Sequence, residues 1–323
     1  SSAGKPLTVR LIGGPSGGAG TLNVSVPGGW TVSPTDLPFR LRAGGGEERL
    51  TFTIKPGKDA AAGVFAVTAD VGTGTVTTAT TVIRYPHIPA QTIFPAATGK
   101  LVVADVKRKK FFIGYIEGSG DQVPEALRQA GYDVRLLSDE DLLSADLAPF
   151  QSIVAGVRAY NTRPSLAMAR KRLTDYVEAG GTYVVQYSTS GQTDSLAIGP
   201  YPFRISRDRV SEETAPVTLL DPSNPALSYP NAIGEADFAG WVQERGLYYA
   251  DSWDSAYAAP LAANDAGEPA RRGGLLVARH GRGYFCYTGL SFFRQLPAGV
   301  PGAYRLFVNL VELGSREKTR GSR

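Results

Sequence analysis

The sequence predicts a β-sandwich followed by a doubly wound α/β domain, and three observations carry that prediction. The first 85 residues are short Val-, Thr- and Phe-rich runs separated by glycine and proline turns, the pattern of a sandwich. From Phe111 the rhythm changes to continuous apolar strands alternating with amphipathic helices, which implies a parallel sheet covered on both faces. At 323 residues the chain is too long for one ordinary core and suits two.

In the first part, RLTFTIK alternates Leu50, Phe52 and Ile54 with Arg49, Thr51, Thr53 and Lys55, so one face is apolar and the other wet. The same alternation puts Phe65, Val67, Ala69 and Val71 inside, and Trp30, after the Gly28-Gly29 turn, reads as a core plug. Residues 1–85 are therefore assigned to the sandwich. Pro86, Pro89 and Pro95 exclude a helix and disfavour a central strand, so residues 86–106 are expected to be a stiff linker ending in a bridging strand over 101–106.

The α/β domain is assigned to residues 107–315. FFIGYI is its first strand, GSGD the turn after it, and 122–130 an amphipathic helix. Strands follow at 132–137 and 152–156, then a helix over 165–179 closed by Gly180 and Gly181, and a strand at 182–187. This is a flavodoxin-like layout. Residues 189–274 break the alternation with Pro-, Asp- and aromatic-rich sequence, more than one crossover needs. LLVARHGRGYFCYTG then reads as a hairpin around Gly281 to Gly283. A last helix, 302–313, starts at Pro301 and stops at Gly314, leaving a basic tail at 316–323.

Composition narrows the function classes. Hydrophobic residues make up 42% and charged residues 20%, values of an ordinary globular protein. No apolar run is long enough for a transmembrane helix and no leader is evident, while the start at Ser1 implies that something upstream was removed. One cysteine, Cys286, excludes a disulfide framework, and with only His87 and His280 as histidines no metal site is expected. The net charge of +4 concentrates at Lys107–Lys110 and in the tail. No nucleic-acid motif accompanies it, so nucleic acid is not an expected partner.

Longer runs carry a family resemblance. GTLNVSVPGGWTVSP, PFRLRAGG and VFAVTADV resemble the immunoglobulin-like domain appended to some glycoside hydrolases and other secreted carbohydrate-active proteins. GVRAYNTR, DYVEAGGTYVVQY, PYPFRISRDRV, DFAGWVQERGLYYADSWD and TGLSFFRQLPAGVPGAYRLFVNL are similar to the C-terminal region of large bacterial PIG-L-type (LmbE-like) de-N-acetylases. In those proteins a zinc deacetylase domain precedes such a sandwich and a class I glutamine amidotransferase-like domain. The resemblance thus implies an immunoglobulin-like sandwich plus a glutaminase-like domain, but the family's His-Pro-Asp-Asp zinc motif is absent here.

A class I glutaminase needs a cysteine at a sharp turn after a central strand, with a His–Glu pair to activate it. The matching turn here reads Gln186, Tyr187, Ser188, Thr189, Ser190. Ser188 or Ser190 would need His280 as base. Cys286 and His280 share the predicted hairpin, diagonal on one face about 7 Å apart, but Cys286 is flanked by Tyr284, Phe285 and Tyr287 and reads as a buried structural thiol. No catalytic residue, metal or cofactor is therefore assigned.

Residues at predicted strand ends form the candidate binding set: Glu117, Asp121, Arg158, Tyr160, Asn161 and Gln186, joined by Trp241, Arg245 and Arg294 from the irregular insertions. Open α/β sheets present ligands at those ends. Asp121 fits either a helix cap or, with Gly118-Ser119-Gly120, an anion-binding turn. The set as a whole fits either a ligand pocket or docking surface, or a buried Arg–carboxylate network such as Arg207 or Arg209 with Asp237 or Glu244. The expected function is a non-catalytic accessory or scaffold protein of an extracytoplasmic or membrane-associated complex, touching a membrane only through a partner. The alternatives are a carbohydrate-binding accessory region of a PIG-L-type de-N-acetylase, favoured by Tyr201, Trp241, Tyr248, Tyr249 and Trp253, and a cryptic amidase or hydrolase.

Overall fold

Alternating side chains in the first part of the chain need a second layer to bury their apolar face. In the computed structural model, which describes residues 4–85, 87–191 and 197–314, two antiparallel sheets supply one another with that layer. The chain divides into two compact units, Ser1–Val103 and Ala104–Arg323. The basic tail at 316–323 lies outside the described residues.

The first unit runs β1 (Lys5–Ile12), β2 (Gly18–Ser25), β3 (Trp30–Ser33), β4 (Asp36–Leu41), β5 (Glu47–Pro56), β6 (Gly63–Asp70), β7 (Thr75–Val76), β8 (Thr81–Tyr85), β9 (Ile88–Ile93) and β10 (Thr98–Leu101). One sheet has the order β1-β5-β3 and the other β10-β6-β2-β4, with β7 on β6. Phe52 and Ile54 from the first meet Leu22, Val24, Phe39 and Ala69 from the second in one apolar cluster. Trp30 is not a central plug: it is half-buried, packs at the rim of that cluster and donates from Nε1 to the Ala61 carbonyl at 2.8 Å.

The expected linker is largely strand. β9 forms a separate hairpin with β8, and β10 pairs antiparallel with β6 at the edge of its sheet. The prolines do not forbid this, because Pro89 lies in a two-stranded ribbon with an unpaired outer side and Pro95 falls between strands. The strand expected over 101–106 ends at Leu101.

The second unit comprises β11 (Phe112–Ile116), α1 (Val123–Ala130), β12 (Asp133–Leu136), α2 (Asp139–Ser144), β13 (Ser152–Ala155), α3 (Ala159–Thr162), α4 (Ser165–Met168), α5 (Arg170–Glu178) and β14 (Thr182–Gln186). The insertion follows as β15 (Phe203–Val210), β16 (Val217–Leu219), α6 (Pro225–Ser228), β17 (Gly246–Trp253), β18 (Tyr257–Ala258) and β19 (Leu261–Ala263). β20 (Leu275–His280), β21 (Gly283–Thr288), α7 (Phe292–Gln295) and α8 (Pro301–Val311) complete it.

The sheet order is β12-β11-β13-β14-β21-β20-β18, with the first five strands parallel and the last two antiparallel. Its strands are buried throughout on β13, β14 and β21, as continuous apolar runs require. Val154, Val184 and Cys286 belong to the face covered by α1 and α8, and Ile153, Val185 and Phe285 to the face covered by α2, α4 and α5. The insertion adds two ribbons, β15–β17 and β16–β19.

α8 also clasps the segment that leads into β11. Arg305 Nη1 donates to the Asp105 carbonyl at 3.0 Å, and Glu312 Oε1 accepts the Lys109 N–H at 2.8 Å. Asn231 pairs with both the N–H and the carbonyl of Lys107, at 2.8 and 3.0 Å, while exchanging bonds with Asn309 of α8.

Candidate functional site

Parallel β11, β13, β14 and β21 end together, so the residues just beyond them are neighbours. Three clasps tie these turns. The Ser119 N–H donates to the Val157 carbonyl at 2.9 Å and the Arg158 N–H to the Tyr187 carbonyl at 2.8 Å. Asn161 accepts the Thr189 N–H at 2.8 Å and returns Nδ2 to the Thr189 carbonyl at 3.3 Å. The first clasp requires glycine at 118, where a Cβ would collide with the Val157 carbonyl oxygen.

Asp121 is held from three elements. Its Oδ1 accepts the Val123 N–H at 2.9 Å and its Oδ2 the Val157 N–H at 3.1 Å, and the Tyr115 hydroxyl donates to both oxygens at 2.7 and 2.8 Å. Burial, then the Asp121 charge, pushes the Tyr115 phenol far up, so it stays protonated as a donor. Gln186, 1% exposed, donates Nε2 to Tyr115 Oη at 3.0 Å, and its Oε1 has no partner among the described residues. Asp121 thus ties the start of α1 to the turn after β13 and to Tyr115 of β11.

Beyond β14 and β21 lies an aromatic group. Tyr187 stacks on Tyr248, with ring centroids 5.5 Å apart and planes 11° apart, and Phe293 tilts against Tyr187 at 5.4 Å. Tyr287 fixes Tyr248 by donating its hydroxyl to the Tyr248 carbonyl at 2.6 Å. Arg294 lies over Phe293 at 4.8 Å and binds Glu244 through Nε at 2.7 Å. Burial raises the Tyr187 phenol, and the charges of Arg158 and Arg294 oppose that rise, so both guanidinium groups act on the same hydroxyl.

Among the described residues three that are not glycine have positive φ, Arg158 at 58°, Gln243 at 67° and Tyr248 at 54°. They come from two segments, the turn after β13 and the stretch 243–248 that leads into β17. Left-handed backbone costs side-chain-bearing residues about 1–3 kcal/mol each and concentrates where geometry is functionally constrained.

Of the predicted binding set, the structure brings Glu117, Asp121, Arg158, Asn161, Gln186 and Arg294 to the strand ends. Glu117 and Arg158 are exposed. Three residues do not join them. Tyr160 is buried under α5, its hydroxyl 3.0 Å from Tyr183 Oη, and with Arg170, Leu173 and Ile198 it lines a small recess. Trp241 and Arg245 are 3% and 5% exposed. Arg245 lies over the Trp241 ring at 5.8 Å and donates to the carbonyls of Ala215 and Phe238. Burial lowers its pKa.

The Arg–carboxylate network forms with partners other than those expected. Asp237 binds Arg305, Glu244 binds Arg294, Asp208 binds Arg271 and Asp251 binds Arg204. Tyr187 and Phe293 were absent from the sequence-based set. Their signal was position alone: each lies one to five residues past a parallel strand's carboxyl end.

The serine, cysteine and histidine are kept apart. β14 and β21 run parallel with Thr182 opposite Tyr284 and Gln186 opposite Thr288, and His280 pairs with Gly283 at the other end of the sheet. At about 3.3 Å per residue this separates His280 from Ser188 by about 20 Å. His280 instead packs edge-on against Tyr201, Nδ1 lying 3.4 Å from Tyr201 Oη. Cys286 pairs with Val277, three residues from His280, so the two side chains lie on opposite faces. The expected diagonal pair assumed a turn centred on Arg282, but the turn residues are Gly281 and Arg282, which moves the register by one half-step. Burial alone pushes the Cys286 thiol far up.

Among the described residues no three His, Cys, Asp or Glu are grouped to hold a metal ion, and no helix is long and apolar enough to cross a membrane.

Residues 2–74 match the NPCBM-associated, NEW3 domain of alpha-galactosidase. No curated protein matches the chain. Among solved structures it is similar to a protein assigned to GMP synthase from Thermoplasma acidophilum (9% identity, TM-score 0.43, 67% of this chain and 100% of that one). It is also similar to PurLQS from Thermotoga maritima (11% identity, TM-score 0.42, 63% and 99%). The beta-galactosidase from Rahnella sp. R3 follows at 15% identity and TM-score 0.37, covering 66% of this chain and 32% of that one. At these identities and scores the likeness extends to no side chain of the crevice.

Proposed function

We propose that this chain is a non-catalytic, carbohydrate-binding accessory region that serves a glycan-processing enzyme outside the cytoplasm. The observation that carries the reading is the match of residues 2–74 to a domain of alpha-galactosidase. The geometry of the second unit supports it from another side. Its crevice combines an aromatic stack with guanidinium and amide groups, the mix that orients polar ligands, while Ser188, Cys286 and His280 are too far apart to form a nucleophile and base. In this reading the two facing sheets of the first unit form an immunoglobulin-like sandwich. The resemblance of the longer sequence runs adds a PIG-L-type de-N-acetylase as the class of enzyme served. Glycan-array screening followed by calorimetry tests the proposal: binding to defined saccharides is expected, and no binding to any glycan at millimolar concentration would remove it.

A protein-docking role is the second reading, favoured by the β8–β9 hairpin. It exposes Val82, Tyr85, Ile88 and Ile93, with Phe94 64% exposed beside them, more apolar surface than a two-stranded ribbon leaves open without use. Glycan-independent capture of a defined partner, lost on substituting Tyr85 and Ile93, would favour it.

A further inference from the structure

We infer that the strand-end crevice of the second unit recognises an acidic saccharide, its carboxylate or sulfate ester held by Arg158 and its ring laid against the Tyr187–Tyr248 stack. The inference rests on the carbohydrate-binding reading and names the ligand class of one site within it.

Charge pairing points to Arg158. Arg294 is bound by Glu244, Arg163 by Asp139, and Arg245 is buried on two carbonyls. Arg158 is exposed, and its side chain has no hydrogen bond or ion pair to any described residue. Its backbone is fixed nonetheless: the N–H is held by Tyr187 and φ is 58°. A planar guanidinium on an immobilised backbone suits a planar or tetrahedral oxyanion, which it can grip through two N–H groups at once.

The neighbouring surface suits the rest of a sugar. Tyr248, itself at positive φ, presents an aromatic ring in a nearly parallel pair with Tyr187, an apolar body with a polar tip. Two buried polar atoms on β14 and just past it, Gln186 Oε1 and Ser188 Oγ, have no hydrogen-bond partner among the described residues. Atoms left so are rare in folded interiors and mark places where a further group belongs. Glu117, just past the neighbouring β11, is exposed and disfavours a second anionic group beside it.

The test is calorimetry on the 323-residue chain with methyl glucuronoside, methyl glucoside and glucose 6-sulfate, for wild type, Arg158→Asn and Tyr248→Ala. Asparagine tolerates the left-handed backbone, and matching thermal melts would show that the fold is kept. At least roughly tenfold tighter binding of an acidic sugar than of the glucoside, lost in Arg158→Asn and weakened by salt, is expected. The stronger of the uronoside and the sulfate identifies the oxyanion. Neutral glycans bound without preference for acid, or binding unchanged in Arg158→Asn, would overturn the inference and leave the accessory reading standing. Absence of binding to every glycan would overturn both.

Discussion

The phenol of Tyr132 donates a 2.6 Å hydrogen bond to Glu312, 180 residues further along the chain, in a setting where the carboxylate is 0% exposed. The same oxygen takes the Lys109 N–H, and Oε2 has no partner among the described residues. Glu312→Ala leaves the buried Tyr132 hydroxyl and the half-buried Lys109 N–H without this acceptor and is expected to destabilise the second unit by about 2–4 kcal/mol. Urea denaturation would measure it.

Burial raises the Glu312 pKa above its ordinary value. The folded state then holds the proton more tightly than the unfolded one, so this group's contribution to stability grows as pH falls from neutrality through the folded pKa towards about pH 4, and shrinks as pH rises. Glu312→Gln, which keeps an acceptor for Tyr132, should remove that slope. Subtracting its melting temperatures from those of wild type between about pH 4 and 7.5 isolates the effect, and a difference independent of pH would contradict it.

Cys286 sits at 0% exposure in mid-strand with its thiol pKa raised by burial. It should resist iodoacetamide in the native protein and react fully in denaturant. Ser188→Ala and Cys286→Ala are expected to leave any amide- or ester-cleaving activity of a preparation unchanged, because neither side chain has a base in reach. A loss of turnover in either variant would restore an enzymatic reading.

Arg245 works as a structural cation. Replacing it with Met keeps the bulk over Trp241 but orphans the Ala215 and Phe238 carbonyls, which should lower stability by about 2–4 kcal/mol with no change in ligand affinity for the molecules that remain folded. Denaturation midpoints and calorimetry on the same sample separate the two effects.

Gly118→Ala should be among the most damaging small substitutions near the crevice. The added carbon meets backbone on the β13 turn, atoms that cannot move without breaking the Ser119 clasp. Poor expression, or a fall in melting temperature of several degrees with loss of crevice binding, is the expected outcome.

Local pattern carried much of this fold. The alternation around Phe52 placed a two-sided strand correctly, the unbroken FIGYI run announced a strand covered on both faces, and Pro301 marked the start of α8. What stayed hidden depended on partners far along the chain. Three prolines disguised the strands after residue 86, because only the structure reveals that β9 and β10 have a side with no hydrogen-bonding duty. Arg245 joined the candidate binding set because nothing nearby announces that two carbonyls, 30 and 7 residues away, will receive it. Asp121 was legible as a cap, yet its bond to the Val157 N–H requires β13 to lie beside β11. Trp241 and Tyr160 show the same limit, for an aromatic's chemistry fits a core and a ligand platform equally until its neighbours are fixed.

The clasp between α8 and the Asp105–Lys109 stretch brings the start and finish of the α/β unit side by side. A unit whose two ends meet can be spliced into a loop of a host protein through two short joints without spreading that loop, and its own chain can be re-ordered by sealing the old ends and opening new ones elsewhere. The second unit is therefore transferable as a self-contained cassette, provided that Asn231, Arg305 and Glu312 travel with it.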